Sequence, residues 1–349
     1  MYIEFSGYQN RPEILIEFPM AKAGVKAMDT VQQWAKKNQQ MDIEQFVIAG
    51  ASKRGWATWL VGAVDDRVIG IAPIVMDMLN LPKGVAHMWK AYGGWTFAFE
   101  DYWELNITKY VNEPGMVKLA KQIDPLQYKS NLTMSKLVID STGDEFFMPD
   151  DDHYWWGDLE GETLRMMVQN AEHSMATGIL ELITGVEAWY WGLLTDTPRP
   201  QFTWSIANDT GIINIQASTK PHKVVLRFAT TFGSKRRDFR LIKGDTKEDP
   251  CDFIPVHVFG DACINPVIWI GEDIAPESAV LSTAADGSTV YNYKLSQPLP
   301  PSGWRGFFGE LYFKGPQGTL YQLTTQVSII PQTFPFPACQ GEACIGGLV

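Results

Sequence analysis

The chain has 349 residues, of which 45% are hydrophobic and 20% charged, and its formal net charge is -11 at pH 7. That length suits roughly two domains of about 150 residues, with enough apolar material for a sizeable core. The acidic balance and the lack of a dense Lys/Arg run argue against nucleic acid or an anionic membrane surface as a partner, and no apolar stretch reaches the ~20 residues that span a bilayer.

Met1 to Phe5 carries no basic-then-apolar export signal. Tyr2–Phe5 reads as a strand and Ile14–Phe18 as an apolar run. Ala23, Val25, Ala27, Val31 and Trp34 then form one helix face, and Lys36-Lys37-Asn38 suits the helix C-terminus. Gln45–Gly50 is a short apolar strand that stops at a glycine. Ser52 follows, and Gly55–Val64 is helical, with Trp56, Trp59 and Leu60 on one face. This is the layout of a nucleophile elbow, in which a sharp turn lifts one serine hydroxyl above the sheet beside helix N-terminal amides. It departs from G-x-S-x-G: Arg54 stands where the last glycine belongs, and Gly55 comes one residue late.

Val68–Met76 is apolar almost throughout, as a parallel strand covered on both faces must be. Asp77 follows it, placed either to contact a cationic group such as a peptide amino terminus or to cap local structure. Residues 80–130 are crowded with Trp89, Tyr92, Trp95, Phe97, Phe99, Tyr102 and Trp103. They read as a helical cap over the strand ends, with Tyr92 and Trp95 as candidate pocket residues; ordinary cap packing explains them equally. Lys136–Asp140 and Leu164–Val168 are further strands, and Ile179–Leu194 is a long apolar helix. Strands alternating with helices indicate a mostly parallel α/β sheet over residues 1–197.

Thr195 to Pro200 looks like a linker, and beyond it the periodicity changes to two. Phe202–Ile206, Ile212–Ile215, Val224–Phe228, Phe239–Ile242, Val256–Phe259, Val267–Ile270, Val290–Tyr293 and Thr319–Leu323 are strand candidates. They suggest an antiparallel β-sandwich of immunoglobulin or fibronectin type over 198–330, with an irregular Pro/Gly-rich tail at 331–349. Lys235-Arg236-Arg237 reads as a solvated turn. The four cysteines, Cys251, Cys263, Cys339 and Cys344, permit two local disulfides, although four cysteines allow three pairings and free thiols are the alternative. No histidine sits at ligand spacing near them, so no metal site is expected, and no cofactor is called for. Asn106, Asn131 and Asn208 each begin an Asn-x-Thr glycosylation acceptor, which tilts toward a secreted protein; an export signal would then lie upstream of Met1.

A serine hydroxyl needs a base. Of five histidines, His173 lies in a loop just after an apolar strand, where a triad base belongs. His153, the rival, follows three aspartates in what looks like a helix start. Asp144 follows the strand Lys136–Asp140 through a tight turn at Gly143, while Asp140 belongs to the strand and Glu145 is expected to point the other way. The order Ser52, Asp144, His173 is that of α/β-hydrolases. The Lys53 backbone N–H would be one oxyanion donor. The second should come from a loop after an earlier strand, which the sequence does not reveal.

These residues resemble the PhoPQ-activated pathogenicity-related family, which includes the autocrine proliferation repressor proteins of social amoebae. The resemblance is carried by Phe18 to Met20, Ala27 to Val31, Gly50 to Trp56, Pro73 to Asn80, Tyr92 to Gly94, Ile123 to Leu126, Gly143 to Phe147 and Asn170 to Ser174. It implies an α/β-hydrolase domain followed by a β-sandwich, often in an exported protein, with Ser52, Asp144 and His173 as the triad. Family members carry an extra N-terminal stretch with the first strands of the sheet, so the strand at Gln45–Gly50 is expected to expose an edge. The expected function is a serine hydrolase acting on a small-molecule ester or peptide. The alternatives are a secreted signalling protein that meets a cell-surface receptor, with little or no turnover, and a carbohydrate esterase.

Overall fold

Short apolar strands separated by helices can satisfy their backbones in one sheet covered on both faces. The computed structural model describes residues 12–251 and 262–349. Phe46–Ala51 (β1), Val68–Ile74 (β2), Ser135–Ser141 (β3) and Thr163–Val168 (β4) form an all-parallel sheet in that order. The helices are Glu17–Gln39 (α1), Lys53–Val64 (α2), Leu81–Tyr92 (α3), Glu100–Glu104 (α4), Pro114–Ile123 (α5) and Ile179–Leu194 (α6). Strand side chains alternate between the two faces. Ile71 and Val138 meet Trp59 and Val61 of α2, with α1 behind them; Ala72, Leu137 and Met166 meet Leu182 and Trp189 of α6. Among the described residues β1 pairs only with β2. The expected strands Tyr2–Phe5 and Val256–Phe259 lie outside the described residues.

The segment between β2 and β3 is helical, as its aromatic content suggested. It holds α3, α4 and α5, and its Leu81, Met88, Trp95 and Phe99 form a separate apolar cluster with Cys339, Cys344 and Val349 of the tail. That tail contains only a short 3₁₀ turn, Gly341–Ile345, and a single bridge between Trp95 and Leu348. It is nonetheless pinned: the Trp95 indole donates to the Cys344 carbonyl at 2.8 Å and Asn112 Nδ2 to the Cys339 carbonyl at 2.8 Å. Of the three possible cysteine pairings the local one forms, Cys251–Cys263 and Cys339–Cys344.

The C-terminal strands are Phe202–Ile206 (β5), Ile213–Ala217 (β6), Lys223–Thr230 (β7), Ile242–Gly244 (β8), Ala262–Ile264 (β9), Ile270–Ile274 (β10), Val280–Thr283 (β11), Thr289–Leu295 (β12), Arg305–Lys314 (β13), Leu320–Thr324 (β14) and Ser328–Ile330 (β15). Two antiparallel sheets, β10-β7-β13-β14 with β15 also on β13, and β11-β12-β6-β5, pack their apolar sides together through Ile213, Val224, Leu295 and Phe307. The fold is an α/β-hydrolase-type sheet followed by a β-sandwich. Phe239 to Leu241 is not a strand, because Asp238 binds Arg240 and the Leu241 N–H turns to Gly143. The strand expected at Val267 begins at Ile270.

The same apolar cluster runs from the α6 face of the parallel sheet through to Tyr321 and Leu323 of β14. Polar ties reinforce it: Arg165 Nη1 donates to Thr324 Oγ1 at 3.2 Å and to the Thr325 carbonyl at 3.1 Å. Arg236 and Arg237 are buried, not solvated. Arg236 Nε donates to the Tyr92 carbonyl at 2.9 Å, and Arg237 forms an ion pair with Asp150. Burial of a guanidinium requires such partners, and these come from more than 80 residues away in the chain.

Candidate active site

Ser52 sits between β1 and α2 with φ 52° and ψ -126°, a conformation that costs a non-glycine residue a few kcal/mol and that a tight strand-to-helix turn imposes. Its N–H donates to the Ile74 carbonyl at 2.8 Å, which ties the turn to β2. The chain can cross this closely because of two glycines. A Cβ on Gly50 would lie 2.6 Å from the Arg54 carbonyl oxygen, and one on Gly55 would lie 2.7 Å from Met76 Cβ. Gly55 therefore provides the close helix–strand approach one residue later than G-x-S-x-G does. Arg54, at the vacated position, is exposed.

Asp144 follows the end of β3 and His173 the end of β4. His173 Nε2 lies 2.7 Å from Ser52 Oγ, and His173 Nδ1 lies 2.9 and 3.0 Å from the two Asp144 oxygens. Asp144 Oδ1 also accepts the N–H groups of Phe146 (2.7 Å) and Phe147 (3.1 Å), which fixes the carboxylate. The loop carrying His173 is held by Asn170. Its Nδ2 donates to the Trp269 carbonyl at 2.9 Å, and its Oδ1 accepts the Trp269 N–H at 2.7 Å. A residue just before β10 of the sandwich thus anchors the histidine loop of the parallel sheet. Asp140 lies within β3, as expected, and His153 lies exposed in a 3₁₀ turn.

Glu145 differs from expectation. Its carboxylate turns onto the main-chain N–H of His173 at 2.9 Å. Burial, followed by the Asp144 charge, pushes its carboxyl up to about 7. Burial of the His173 imidazole opposes its charging. The Asp144 hydrogen bond and the charges of Asp144, Glu145 and Glu172 outweigh that, and the imidazole is held above its ordinary value. Asp144 and His173 fall beside Ser52 as their places after successive strands led one to expect; nothing in one sequence shows which way Glu145 turns or that Asn170 reaches Trp269.

Lys53 opens α2 directly after Ser52, with an exposed side chain. Asp77 is buried and accepts from the Trp155 indole at 2.5 Å; burial, then the charges of Asp140, Asp152 and Asp151, push its carboxyl well above the carboxylate range. Tyr92 is buried beneath the Arg240 guanidinium, 4.6 Å from its ring centroid. Trp95 is fully buried and lines an apolar cavity of about 70 Å³ together with Trp56, Phe99 and Leu119. The cavity wall leads to the histidine: Phe99 packs on Phe146 at 6.0 Å between ring centroids, and Phe146 on His173 at 4.4 Å. Among the described residues no group of three or more His, Cys, Asp or Glu is arranged to hold a metal ion, and no helix is long and apolar enough to cross a membrane.

Residues 1–240 match the family model described as PhoPQ-activated pathogenicity-related protein. The chain belongs to this family. A relative from Dictyostelium discoideum, autocrine proliferation repressor protein A, is 39% identical in an alignment 359 positions long that covers 99% of this chain and 68% of the relative. Among solved structures, acetyl xylan esterase 1 from a Thermoanaerobacterium species aligns with TM-score 0.34 and 15% identity, over 44% of this chain and 48% of that one. The acylaminoacyl peptidase of Pyrococcus horikoshii aligns with TM-score 0.35 and 14% identity, over 49% and 27%. The chain thus spans half or less of these two enzymes, and the activities in their names are theirs.

Proposed function

We propose that this member of the PhoPQ-activated pathogenicity-related family is a serine hydrolase for small esters or peptides. The observation that carries the reading is the unbroken chain from Asp144 through His173 to Ser52 Oγ, each step at 3.0 Å or less. Ser52 attacks the substrate carbonyl carbon while His173 Nε2 takes the hydroxyl proton. Asp144 holds the tautomer and offsets the imidazolium charge. The tetrahedral oxyanion accepts the Lys53 N–H. His173 returns the proton to the leaving group, leaving an acyl-Ser52 ester, and water cleaves that ester by the same proton transfers in the second half-reaction. The apolar cavity behind Phe146 suits a short aliphatic acyl group or side chain; it has about half the volume of the roughly 150 Å³ apolar cavity that accepts benzene.

A fluorophosphonate probe tests this. The intact chain should label once, at Ser52, and Ser52→Ala should not label. His173→Gln should slow labelling by about 10³-fold or more, because the nucleophile loses its base. An intact, folded chain that never labels would end the proposal.

The name of the Dictyostelium relative favours a second reading, a secreted signal that restrains proliferation through a cell-surface receptor on a hydrolase scaffold. Two disulfides suit an oxidising compartment, and all three acceptor asparagines are exposed. Applying the chain and its Ser52→Ala variant to growing cells separates the readings. Equal restraint by both means signalling without turnover; restraint lost in the variant means the signal is the hydrolysis.

A further inference from the structure

The buried arginine that the sequence disguises as surface leads to a second site. Arg237 borders a cleft of about 470 Å³ between the turn that follows β3 and the sandwich. This lies within the size range of small-molecule sites, and neither Ser52, Asp144 nor His173 lines it. Its walls have two chemistries. One is aromatic: Trp156 and Trp204, both half-exposed, meet with ring centroids 5.5 Å apart and planes inclined at 43°. The other is uncharged and hydrogen-bonding: Ser205, Asn208 and Gln332 are exposed along the rim, and Gln326 lies deeper, bridging the Trp204 indole at 3.2 Å and Asp152 at 3.2 Å.

Arg237 stands at the back of the cleft with its terminal nitrogens already engaged. It is 6% exposed. One terminal nitrogen is bound to Asp150, the other donates to His87 Nε2 at 3.0 Å, and the guanidinium carbon lies 4.5 Å from the centroid of Phe334. Its Nε–H has no protein partner among the described residues. The nitrogen is itself buried, so the residue contributes little free hydrogen-bonding capacity to the cleft. The guanidinium charge is already matched by Asp150, so an anion gains little there.

We infer that this cleft binds a neutral saccharide. A pyranose has an apolar C–H face that packs on an indole ring and a rim of hydroxyls that donate and accept, and the cleft supplies both. The Arg237 charge is already matched by Asp150, and an alkyl chain would strand the amides of Asn208, Gln326 and Gln332. The sugar has two candidate sources. Asn208, in the acceptor Asn208-Asp209-Thr210, lies on the cleft itself, so a glycan attached there would reach the tryptophans. The other source is a separate glycan. The inference does not depend on any reaction at Ser52.

The test uses the full chain in two forms. In the first, Thr210→Ala protein, which loses the acceptor while keeping Asn208, is titrated with N,N′-diacetylchitobiose and with neutral manno-oligosaccharides, followed by calorimetry and tryptophan fluorescence. Saturable binding weakened at least tenfold by Trp204→Ala, and separately by Trp156→Ala, supports a separate glycan as ligand. Circular dichroism and unchanged thermal unfolding of each variant exclude loss of fold as the cause, and Trp156, in a short turn, is the milder change. In the second form, native glycosylated protein is treated with peptide N-glycosidase. Slow release of the Asn208 glycan relative to those at Asn106 and Asn131, accelerated by Trp204→Ala or Trp156→Ala, supports the attached glycan. If no sugar binds and the Asn208 glycan is released as fast as the others, the inference is overturned. Binding that neither tryptophan variant weakens also overturns it.

Discussion

Replacing Asn170 with alanine should loosen the loop that carries His173. The substitution removes two reciprocal hydrogen bonds to Trp269, at 2.9 and 2.7 Å. Each is worth about 1 kcal/mol, and the buried Trp269 N–H left without a partner adds about 1 kcal/mol more. Asn170 also has φ 54°, where alanine costs about 1 kcal/mol that asparagine largely avoids. The expected loss is about 4 kcal/mol, or roughly 8 °C in Tm at about 2 °C per kcal/mol. Asn170→Gly tolerates the same backbone angle and should recover about 1 kcal/mol of that. Because the lost anchor positions the base, both variants should also react with a fluorophosphonate about tenfold more slowly at a temperature where both remain folded. Differential scanning fluorimetry and timed labelling measure the two effects. An alanine variant that melts and labels like the parent would show that the sandwich does not hold the histidine loop.

Three further outcomes are expected. The labelling rate should rise with pH through an apparent pKa above the ordinary histidine value of 6.5, since only neutral His173 acts as a base; Glu145→Gln removes one of the charges that hold it there and should move the profile to lower pH. Asp140 is buried with neither oxygen bonded among the described residues, and burial pushes its carboxyl up to about 7. Its folded-state pKa lies above the unfolded one, so its contribution to stability is full below about 4 and lost as pH rises through 7. The Tm of Asp140→Asn minus that of the parent should therefore grow between pH 5 and pH 8, and a flat difference would refute this. Replacing Cys339 and Cys344 by serine opens a short loop and should cost about 2 kcal/mol in denaturant unfolding, and reductant should cost the parent more, because it also opens Cys251–Cys263.

The juxtaposition of Ser52, Asp144 and His173 was legible because each follows its own apolar strand. The strand bounds of the parallel half are also close to expectation, since a sheet buried on both faces produces continuous apolar runs. The sandwich was harder to read. β13, the strand on which β7, β14 and β15 all pair, was missed. It is buried along nearly its whole length, so it has no period of two, and its Glu310 is tolerated only because Arg227 and Gln322 meet it there. β11 was missed for the opposite reason: all four residues are exposed, and no apolar face marks it. Lys235-Arg236-Arg237 looked solvated because partners such as Asp150 and Tyr92 are brought beside it only by the fold.

The shared apolar core gives the molecule no clean seam. Helix α6 lies between the parallel sheet and β14, and Arg199, in the stretch that resembled a free linker, is fastened to Glu162 at 2.9 Å. A protease that nicks the backbone between 195 and 200 would leave two fragments still clasped together. Heat should melt them in one transition, and neither half could be grafted onto another protein without first being given a new wall.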